Sequence, residues 1–329
     1  MSGLIQPEYK FNYVSLFSSA GISDFGLKLL GGKCIAACEL DENRRLVHET
    51  NISGKVFSDI KEDKTRLIEY VLKRSKNLDL VFATPPCQSF STANSRRGKL
   101  KDTISAYSDP RNFLFFDALE VCCNLKPKFI VIENVPNFGR RLLRNEHGTV
   151  GHVGEFIDVI LSDYVGQTFV KCVSEFGVPQ SRKRSFSVYV RKDIAKKKNI
   201  HSKDVKKFNY IVPDDAPKNI IDAIGHLPEL DSQSEDTNSD EGDIFHHVPI
   251  LSEKHYSWIA NIPANSGKSA WMNRCEYCGG SATPMFEIKC TECGKTITVR
   301  PHINEKNGTI RSIKGFKTSY KRIHPDRLS

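Results

Sequence analysis

The chain has 329 residues, enough for one large domain and a smaller one, each with a buried core. Its 48 Lys and Arg outnumber 39 Asp and Glu, and the net charge of +9 permits an anionic partner without identifying one. Hydrophobic residues at 39% and charged residues at 26% exclude a disordered or collagen-like chain. No apolar run approaches the ~18 residues of a membrane-spanning helix, and residues 1–10 lack the pattern of a secretory signal. We therefore expect an intracellular protein.

Short apolar runs alternate with helical patterns through the first half of the chain. Strands are predicted over 13–17, 34–38, 78–83 and 128–133, and helices over 24–30, 41–51, 63–74 and 112–125. This alternation is typical of a mostly parallel sheet with helices on both faces. Two further runs, 167–175 and 184–191, predict an antiparallel pair at one edge. The fold class is therefore α/β, and ligands are expected beyond the carboxyl ends of the strands.

The character of the sequence changes after residue 191, where a lysine-rich segment begins. We expect a domain boundary near residue 192, which separates a domain over 1–191 from a second region over 192–329. Within the second region, residues 231–243 carry six acidic side chains and no basic one, and are expected to form a mobile acidic loop.

Three features at predicted strand ends favour a cofactor that contains adenosine. The small residues after Leu16, as far as Gly21, let a ligand approach the backbone at a helix N-terminus. The next strand ends in Glu39, and an acid at this position is the usual device for holding ribose hydroxyls. Asp59 and Ile60 close the third unit, where a carboxylate can accept a hydrogen bond from an adenine amino group. Each feature is weak alone, but the three in this order point to one site.

Candidate catalytic groups follow the next two strands. Pro85 and Pro86 stiffen a turn that holds the thiol of Cys87 at the edge of the sheet, where a nucleophile would lie. A loop cysteine without a role is the alternative at this point. The next strand ends in Glu133 among apolar residues, which makes its carboxyl a candidate proton donor. Residues 179–184 then place two arginines on one strand face, where they are either solvated or bind phosphate or carbonyl groups.

Together these motifs resemble, in order and spacing, the family of DNA cytosine carbon-5 methyltransferases. The resemblance rests on Leu16–Gly21, Pro85-Pro86-Cys87-Gln88, Glu133-Asn134-Val135 and Gln180-x-Arg182-x-Arg184, and covers about residues 12–191. It implies a Rossmann-like sheet that uses S-adenosylmethionine as the methyl donor. The cofactor contacts that it implies are Phe17, Ser19, Ala20, Gly21, Glu39, Asp59, Ile60, Pro85 and Leu114.

The resemblance also implies a mechanism. Cys87 would add to carbon 6 of cytosine, so that carbon 5 becomes nucleophilic enough to accept a methyl group. Glu133 would hold ring nitrogen three, while Arg184, with Arg182 as a further candidate, would bind the base carbonyl and support Glu133. The base must leave the duplex for this chemistry, and the polar stretch 89–110 has about the length of a loop that closes over it.

Four cysteines in the second region have the spacing of a metal site. Cys275-x-x-Cys278 and Cys290-x-x-Cys293 are separated by eleven residues, and a glycine follows each pair. Four thiolates suit tetrahedral zinc, so we predict a structural zinc ion within 275–293; unpaired thiols or two disulfides are the alternatives. The side chains around them that suit DNA contact are Lys268, Trp271, Arg274, Arg300, His302, Arg311, Lys314 and Lys317.

The expectation is therefore a DNA-associated enzyme of the bacterial cytoplasm that methylates double-stranded DNA, with a zinc-containing target-recognition region and a role in restriction-modification. The alternatives are an RNA cytosine-5 methyltransferase and a non-catalytic nucleic-acid-binding subunit. Residues 319–329 resemble a segment of the family, and in the family this segment is followed by two further motifs. One of these motifs is an Asn-Ser-Val helix, and this sequence has no Gly-Asn-Ser-Val-like segment. We accordingly expect a second polypeptide to supply the missing part, with a truncated gene product as the alternative.

Overall fold

A computed structural model describes residues 9–86, 113–145, 147–207, 219–263, 266 and 268–313. The chain divides into two compact units, Met1–Cys172 with Lys183–Tyr210 and Val173–Arg182 with Ile211–Ser329. Several sequence predictions lie outside the described residues: those for Cys87, for the loop 89–110, for Lys314 and Lys317, and for the chain end at 319–329.

The first unit is built on a seven-stranded sheet with the order β3-β2-β1-β4-β5-β9-β8. The pairs from β3 to β5 are parallel. β9 runs antiparallel to β8, as the sequence predicted for this edge, and it is also antiparallel to β5, which was not predicted. The strands are β1 Phe11–Leu16, β2 Gly32–Cys38, β3 Lys55–Phe57, β4 Leu80–Ala83, β5 Phe129–Asn134, β8 Tyr164–Cys172 and β9 Lys183–Arg191. A small hairpin of β6 Leu142–Arg144 and β7 Val150–His152 lies between β5 and β8 in the chain.

Six helices among the described residues of this unit connect or follow the strands. They are α1 Ile22–Leu29, α2 Glu42–Asn51, α3 Ile60–Arg74, α4 Leu114–Leu125, α5 Val153–Ile160 and α6 Lys192–Lys198. Local chemistry fixes where α2 and α3 begin: Asp41 accepts a hydrogen bond from the amide of Arg44 at 3.0 Å, and Asp59 accepts one from Lys61 at 2.9 Å. Such N-caps satisfy donors that the helix itself leaves unpaired.

Two apolar clusters cover opposite faces of the sheet, as the alternation along β1 requires. Val14 and Leu16 belong to the larger cluster, which takes in the buried faces of α3, α4 and α5. Tyr13 belongs to the smaller cluster, against which Leu27 of α1 packs. The sheet is therefore covered on both faces, and its strand order reverses between β1 and β4. In open α/β sheets this reversal is where ligands bind.

The second unit contains short elements around two small cores. They are α7 Ile220–Ile224, α8 Glu253–Ala260, a hairpin of β10 Ser239–Asp240 with β11 Asp243–His247, and a hairpin of β12 His302–Asn304 with β13 Ile310–Ser312. Trp258, Ile262 and Ala270 form one core, and the other surrounds Cys275 and Cys290.

Two boundaries differ from those expected. The division at residue 192 falls at the start of α6, inside the first compact unit. The chain stays with that unit because Ser202 donates a hydrogen bond to the carbonyl of Gly166 in β8 and accepts one from Gln167. The acidic run 231–243 is folded, since Asp231 accepts a hydrogen bond from Tyr256 at 2.9 Å and residues 239–240 form β10.

No helix among the described residues is long and apolar enough to cross a membrane.

Candidate active site

The turn after β1 has a backbone that few sequences adopt. Phe17, Ser19 and Gly21 have φ angles of 60°, 51° and 83°, all in the left-handed region. Two non-glycine residues in this region within one turn store strain, which is common at ligand-binding sites. The amide of Ser18 donates to the carbonyl of Cys38 at 3.1 Å and so ties the turn to the end of β2. The turn therefore presents its backbone at the point where the strand order reverses.

Glu39 anchors the same turn from the end of β2. Its side chain is buried, and its two carboxylate oxygens accept hydrogen bonds from the amides of Ser19 at 2.9 Å and Asp41 at 3.0 Å. Each carboxylate oxygen has a second lone pair, so both can accept a further hydrogen bond from a ligand. The arrangement has the chemistry needed to bind vicinal hydroxyl groups.

A cavity of about 230 Å³ opens beside Glu39. Five of its lining residues were predicted cofactor contacts: Phe17, Glu39, Asp59, Ile60 and Leu114. The sequence did not predict the other four, which are Cys38, Leu40, Ser58 and Lys61. The volume lies below the ~300–1,000 Å³ of a drug-sized site, which suits one end of an extended cofactor. A carboxylate, an aromatic ring and branched aliphatic side chains around one small cavity fit the adenosine portion of S-adenosylmethionine.

The four other predicted cofactor residues are not among those that line the cavity. The amide of Ser19 donates a hydrogen bond to Glu39, which lines the cavity, and Gly21 is the N-cap residue of α1. Ala20 is half-buried in the turn between them, and Pro85 is buried just after β4.

The turn that leads to Cys87 is held on both sides. Asn134, at the end of β5, donates a side-chain hydrogen bond to the carbonyl of Pro85 at 3.0 Å. Thr84 donates its hydroxyl to the carbonyl of Phe17 at 2.9 Å, which joins this turn to the one after β1. Asn134 was quoted in the sequence motif but was not assigned a role. Its amide fixes the backbone two residues before the predicted nucleophile.

Glu133 and Arg184 form an ion pair at the end of β5. The Nε atom of Arg184 lies 2.8 Å from Oε1 of Glu133, and both side chains are largely buried. The structure therefore brings together two of the predicted catalytic residues. Arg182 is exposed and belongs to the second compact unit, and its backbone carbonyl accepts a hydrogen bond from Val173.

A larger cavity of about 790 Å³ lies among α3, α4 and α5. Lys64 lines this cavity and forms ion pairs with Asp117, at 2.9 Å, and with Glu120. No predicted site residue is among the described residues that line it. Size alone therefore does not identify the site.

The four paired cysteines of the second unit converge as predicted. Cys275 and Cys293 have their sulfur atoms 3.7 Å apart, as do Cys278 and Cys290, and all four sulfurs lie within 4.8 Å of one another. The two Cys-x-x-Cys-Gly turns, residues 275–279 and 290–294, are called knuckles here, and they share one backbone geometry. The amide of Gly279 donates to the carbonyl of Cys275 at 2.8 Å, and the amide of Gly294 donates to that of Cys290 at 2.9 Å. Both glycines are left-handed, with φ of 71° and 73°. Paired turns of this kind fit a tetrahedral metal ion.

Three residues expected to contact DNA are buried instead. Arg300 is 1% exposed and donates to the backbone carbonyls of Asn273, Thr283, Pro284 and Glu287. Trp271 and His302 are also buried. Arg300 stabilises the loop around the cysteines, and burial lowers the pKa of its guanidinium group. Of the other candidates, Arg274 and Arg311 are exposed and Lys268 is half-buried, while Lys314 and Lys317 lie outside the described residues.

Comparisons with known proteins agree with this geometry. The model of the C-5 cytosine-specific DNA methylase family matches residues 11–327. The chain is 28% identical over 326 residues to the Type II methyltransferase M1.HgaI of Avibacterium volantium, which covers 95% of this chain and 80% of that protein. It is 31% identical over 232 residues to the Type II methyltransferase M.FnuDI of Fusobacterium nucleatum, covering 70% of this chain and 59% of that one.

A solved structure shares the fold. The crystal structure of a candidate DNA modification methyltransferase encoded within an E. coli prophage matches with a TM-score of 0.51 and 23% identity. The match covers 78% of this chain and 66% of that chain. The family model spans nearly the whole chain, both compact units included, and the chain belongs to the C-5 cytosine-specific DNA methylase family.

Proposed function

We propose that the protein transfers a methyl group from S-adenosylmethionine to carbon 5 of cytosine in a specific sequence of double-stranded DNA. Membership of the C-5 cytosine-specific DNA methylase family gives the class of reaction. The observation that carries the proposal is the small cavity at the β1 and β2 ends, which five predicted cofactor residues line. The Type II methyltransferases among its relatives support a role in protecting DNA from a restriction enzyme.

In this proposal the cofactor lies across the strand ends of the first unit. Glu39 accepts hydrogen bonds from the ribose hydroxyls, because its buried carboxylate retains free lone pairs beside the cavity. Asp59 faces the adenine amino group, and Phe17, Ile60 and Leu114 provide apolar contacts to the base. When bound, the cofactor supplies an electrophilic methyl group on a sulfonium centre.

The protein's own residues make the cytosine reactive. The thiolate of Cys87 adds to carbon 6, and the ring electrons move toward carbon 5, which then takes the methyl group. Glu133 shares a proton with ring nitrogen three, and Arg184 holds that carboxylate in place and binds the base carbonyl. Transfer of the carbon-5 proton to a water molecule then returns the electrons of the carbon–hydrogen bond to the ring, and Cys87 leaves carbon 6 as a thiolate. Arg182 remains a further candidate for contact with the base.

The second region, which the sequence analysis placed at residues 192–329, is proposed to recognise the DNA target. Cys275, Cys278, Cys290 and Cys293 bind one structural zinc ion in this proposal, supported by their shared turn geometry. A zinc ion with four thiolates carries a net charge of −2, and the buried Arg300 offsets part of it. The exposed Arg274 and Arg311 are the candidate arginines for contact with phosphates, although Arg311 already pairs with Glu305 at 2.7 Å.

A second polypeptide is proposed as a partner because one helix of the first unit exposes several apolar side chains. Its candidate binding surface is the apolar face of α1, where Ile22 is 81% exposed, Leu29 73% and, at the helix end, Leu30 65%. Apolar side chains grouped on one helix are typical of interaction surfaces.

Methyl transfer to nucleic acid separates this function from its alternatives. The purified chain is incubated with radiolabelled S-adenosylmethionine and with DNA or RNA, with and without a small subunit encoded nearby. Label in carbon 5 of DNA cytosine supports the proposal, and label in RNA supports an RNA methyltransferase. Label in neither, with retained DNA binding, identifies a binding subunit.

A further inference from the structure

A cluster of three metal-binding side chains lies beneath the cofactor turn, outside the residues used in the proposed reaction. Asp24 comes from the first turn of α1, Cys34 from β2 and His48 from the last turn of α2. Asp24 and His48 are 0% exposed and Cys34 is 3% exposed. Their donor atoms lie within 4.8 Å of one another, although the residues are well separated in sequence.

Hydrogen bonding within the first unit leaves this cluster unsatisfied. Asp24 accepts a hydrogen bond from Ser15 through Oδ2 at 2.9 Å, but its Oδ1 atom has no hydrogen-bond partner. Neither ring nitrogen of His48 has one among the described residues, and Nε2 lies 3.5 Å from Oδ1 of Asp24. Buried polar atoms are nearly always hydrogen-bonded, whereas among the described residues these three atoms have no hydrogen bond and two of them share only the 3.5 Å ionic contact. A bound ion would supply the missing partner.

We propose that Asp24, Cys34 and His48 bind a divalent transition-metal ion, for which zinc is the best match. An imidazole nitrogen, a sulfur and a carboxylate oxygen are the three donor types that zinc accepts together. A metal ion would satisfy Oδ1 of Asp24 and one nitrogen of His48 at once. Because three protein ligands bind less tightly than four, this ion should leave before the one held by the paired cysteines.

The position of the cluster gives the ion a consequence for the cofactor site. The ring of His48 packs against Gly21, where a Cβ atom would lie 2.8 Å from Cδ2 of His48. Gly21 begins α1 and ends the turn that Glu39 anchors. An ion bound by these side chains would therefore fix α1 and α2 to β2 directly behind that turn. We expect metal removal to weaken S-adenosylmethionine binding.

Metal content of the full-length protein tests the proposal without any activity assay. After dialysis against zinc and removal of the excess, the wild type should hold about two zinc ions per chain by elemental analysis. The double variant Cys278→Ser/Cys293→Ser, which removes two exposed ligands of the other site, should retain about one. Adding His48→Gln should remove that ion, whereas the half-buried Cys123→Ser should leave the wild-type count unchanged.

Cobalt provides a second readout that does not depend on the zinc count. In the Cys278→Ser/Cys293→Ser variant, bound cobalt should show a thiolate charge-transfer band that Cys34→Ser abolishes. If the double variant does not fold, His48→Gln alone should reduce the wild-type zinc content by half. A double variant without metal, or a His48→Gln protein with the wild-type zinc content, would show that Asp24 and His48 are only a buried ion pair.

Discussion

Arg184 and Glu133 meet across two antiparallel strands, with Nε of the arginine 2.8 Å from Oε1 of the carboxylate. The register of β5 and β9 pairs Glu133 with Phe186 and Asn134 with Ser185. Arg184 is the next residue of β9 after this last pair, and its side chain extends along the strands to Glu133. The ion pair fixes the orientation of the carboxylate at the carboxyl end of β5. Asn134, the next residue, holds Pro85 and thus the turn that leads to Cys87.

Replacing Arg184 with alanine should lower kcat about 10²–10³-fold, because Glu133 loses the partner that orients it toward the base. The dissociation constant for S-adenosylmethionine should change little, since Arg184 does not line the cofactor cavity. Single-turnover methylation and cofactor titration measure the two effects. Arg184→Lys is the matched control and should recover part of the rate. An equal loss in cofactor binding would contradict the assigned role.

Asn134→Ala should also lower kcat, by roughly tenfold, through the loss of one buried hydrogen bond to the Pro85 carbonyl. The expected cause is a less well-defined position for Cys87, so trapping of the thiol on a substrate analogue should slow in parallel. Thermal unfolding of the variant serves as the control for a purely structural effect. A lower melting temperature with an unchanged trapping rate would contradict this positioning role.

Glu39→Gln should weaken S-adenosylmethionine binding by about tenfold or more, because an amide cannot accept hydrogen bonds at both ends. One of the two amides that it now binds, Ser19 or Asp41, would lose its partner. Isothermal titration calorimetry with S-adenosylhomocysteine measures the change. Glu42→Gln, close in sequence but outside the cavity, is the control. Equal affinities for the two variants would exclude Glu39 from the cofactor site.

Cys278→Ser should reduce sequence-specific DNA binding far more than cofactor binding. The substitution removes one of four thiolates from the knuckles, which lie in a different compact unit from the cofactor cavity. Fluorescence anisotropy with target and non-target duplexes, combined with elemental analysis, gives both quantities. Full target affinity in a protein whose knuckles hold no metal would disprove the structural zinc ion.

Much of the sheet could be predicted from the sequence, because buried parallel strands appear as continuous apolar runs between amphipathic helices. Glu39 and Asp59 followed from the same rule, because Glu39 comes directly after β2 and Asp59 lies two residues after β3, whereas Phe17 followed from the family resemblance. All three line one cavity at the carboxyl ends of the strands. The short strand β3 was not assigned, because three residues carry too little pattern to distinguish a strand from a loop.

Contacts between distant residues could not be predicted. Nothing in the local sequence of His48 indicates that its ring packs against Gly21. Arg300 was expected to contact DNA because its positive charge suits phosphates, yet it is buried and four backbone carbonyls accept its hydrogen bonds. The domain boundary was also misplaced, since a lysine-rich composition does not show that residues 202–207 pack on β8.

Covalent trapping tests the central claim most directly. The purified protein, with its partner subunit if one is required, is incubated with S-adenosylmethionine and a target duplex in which 5-fluorocytosine replaces the target base. Fluorine at carbon 5 cannot leave as a proton does, so the adduct should persist through denaturing electrophoresis and require the methyl donor for its formation. Mass spectrometry should locate the cross-link at Cys87, and Cys87→Ala should form none. An enzyme that methylates cytosine without a trapped adduct, or one whose cross-link lies at another residue, would contradict this account.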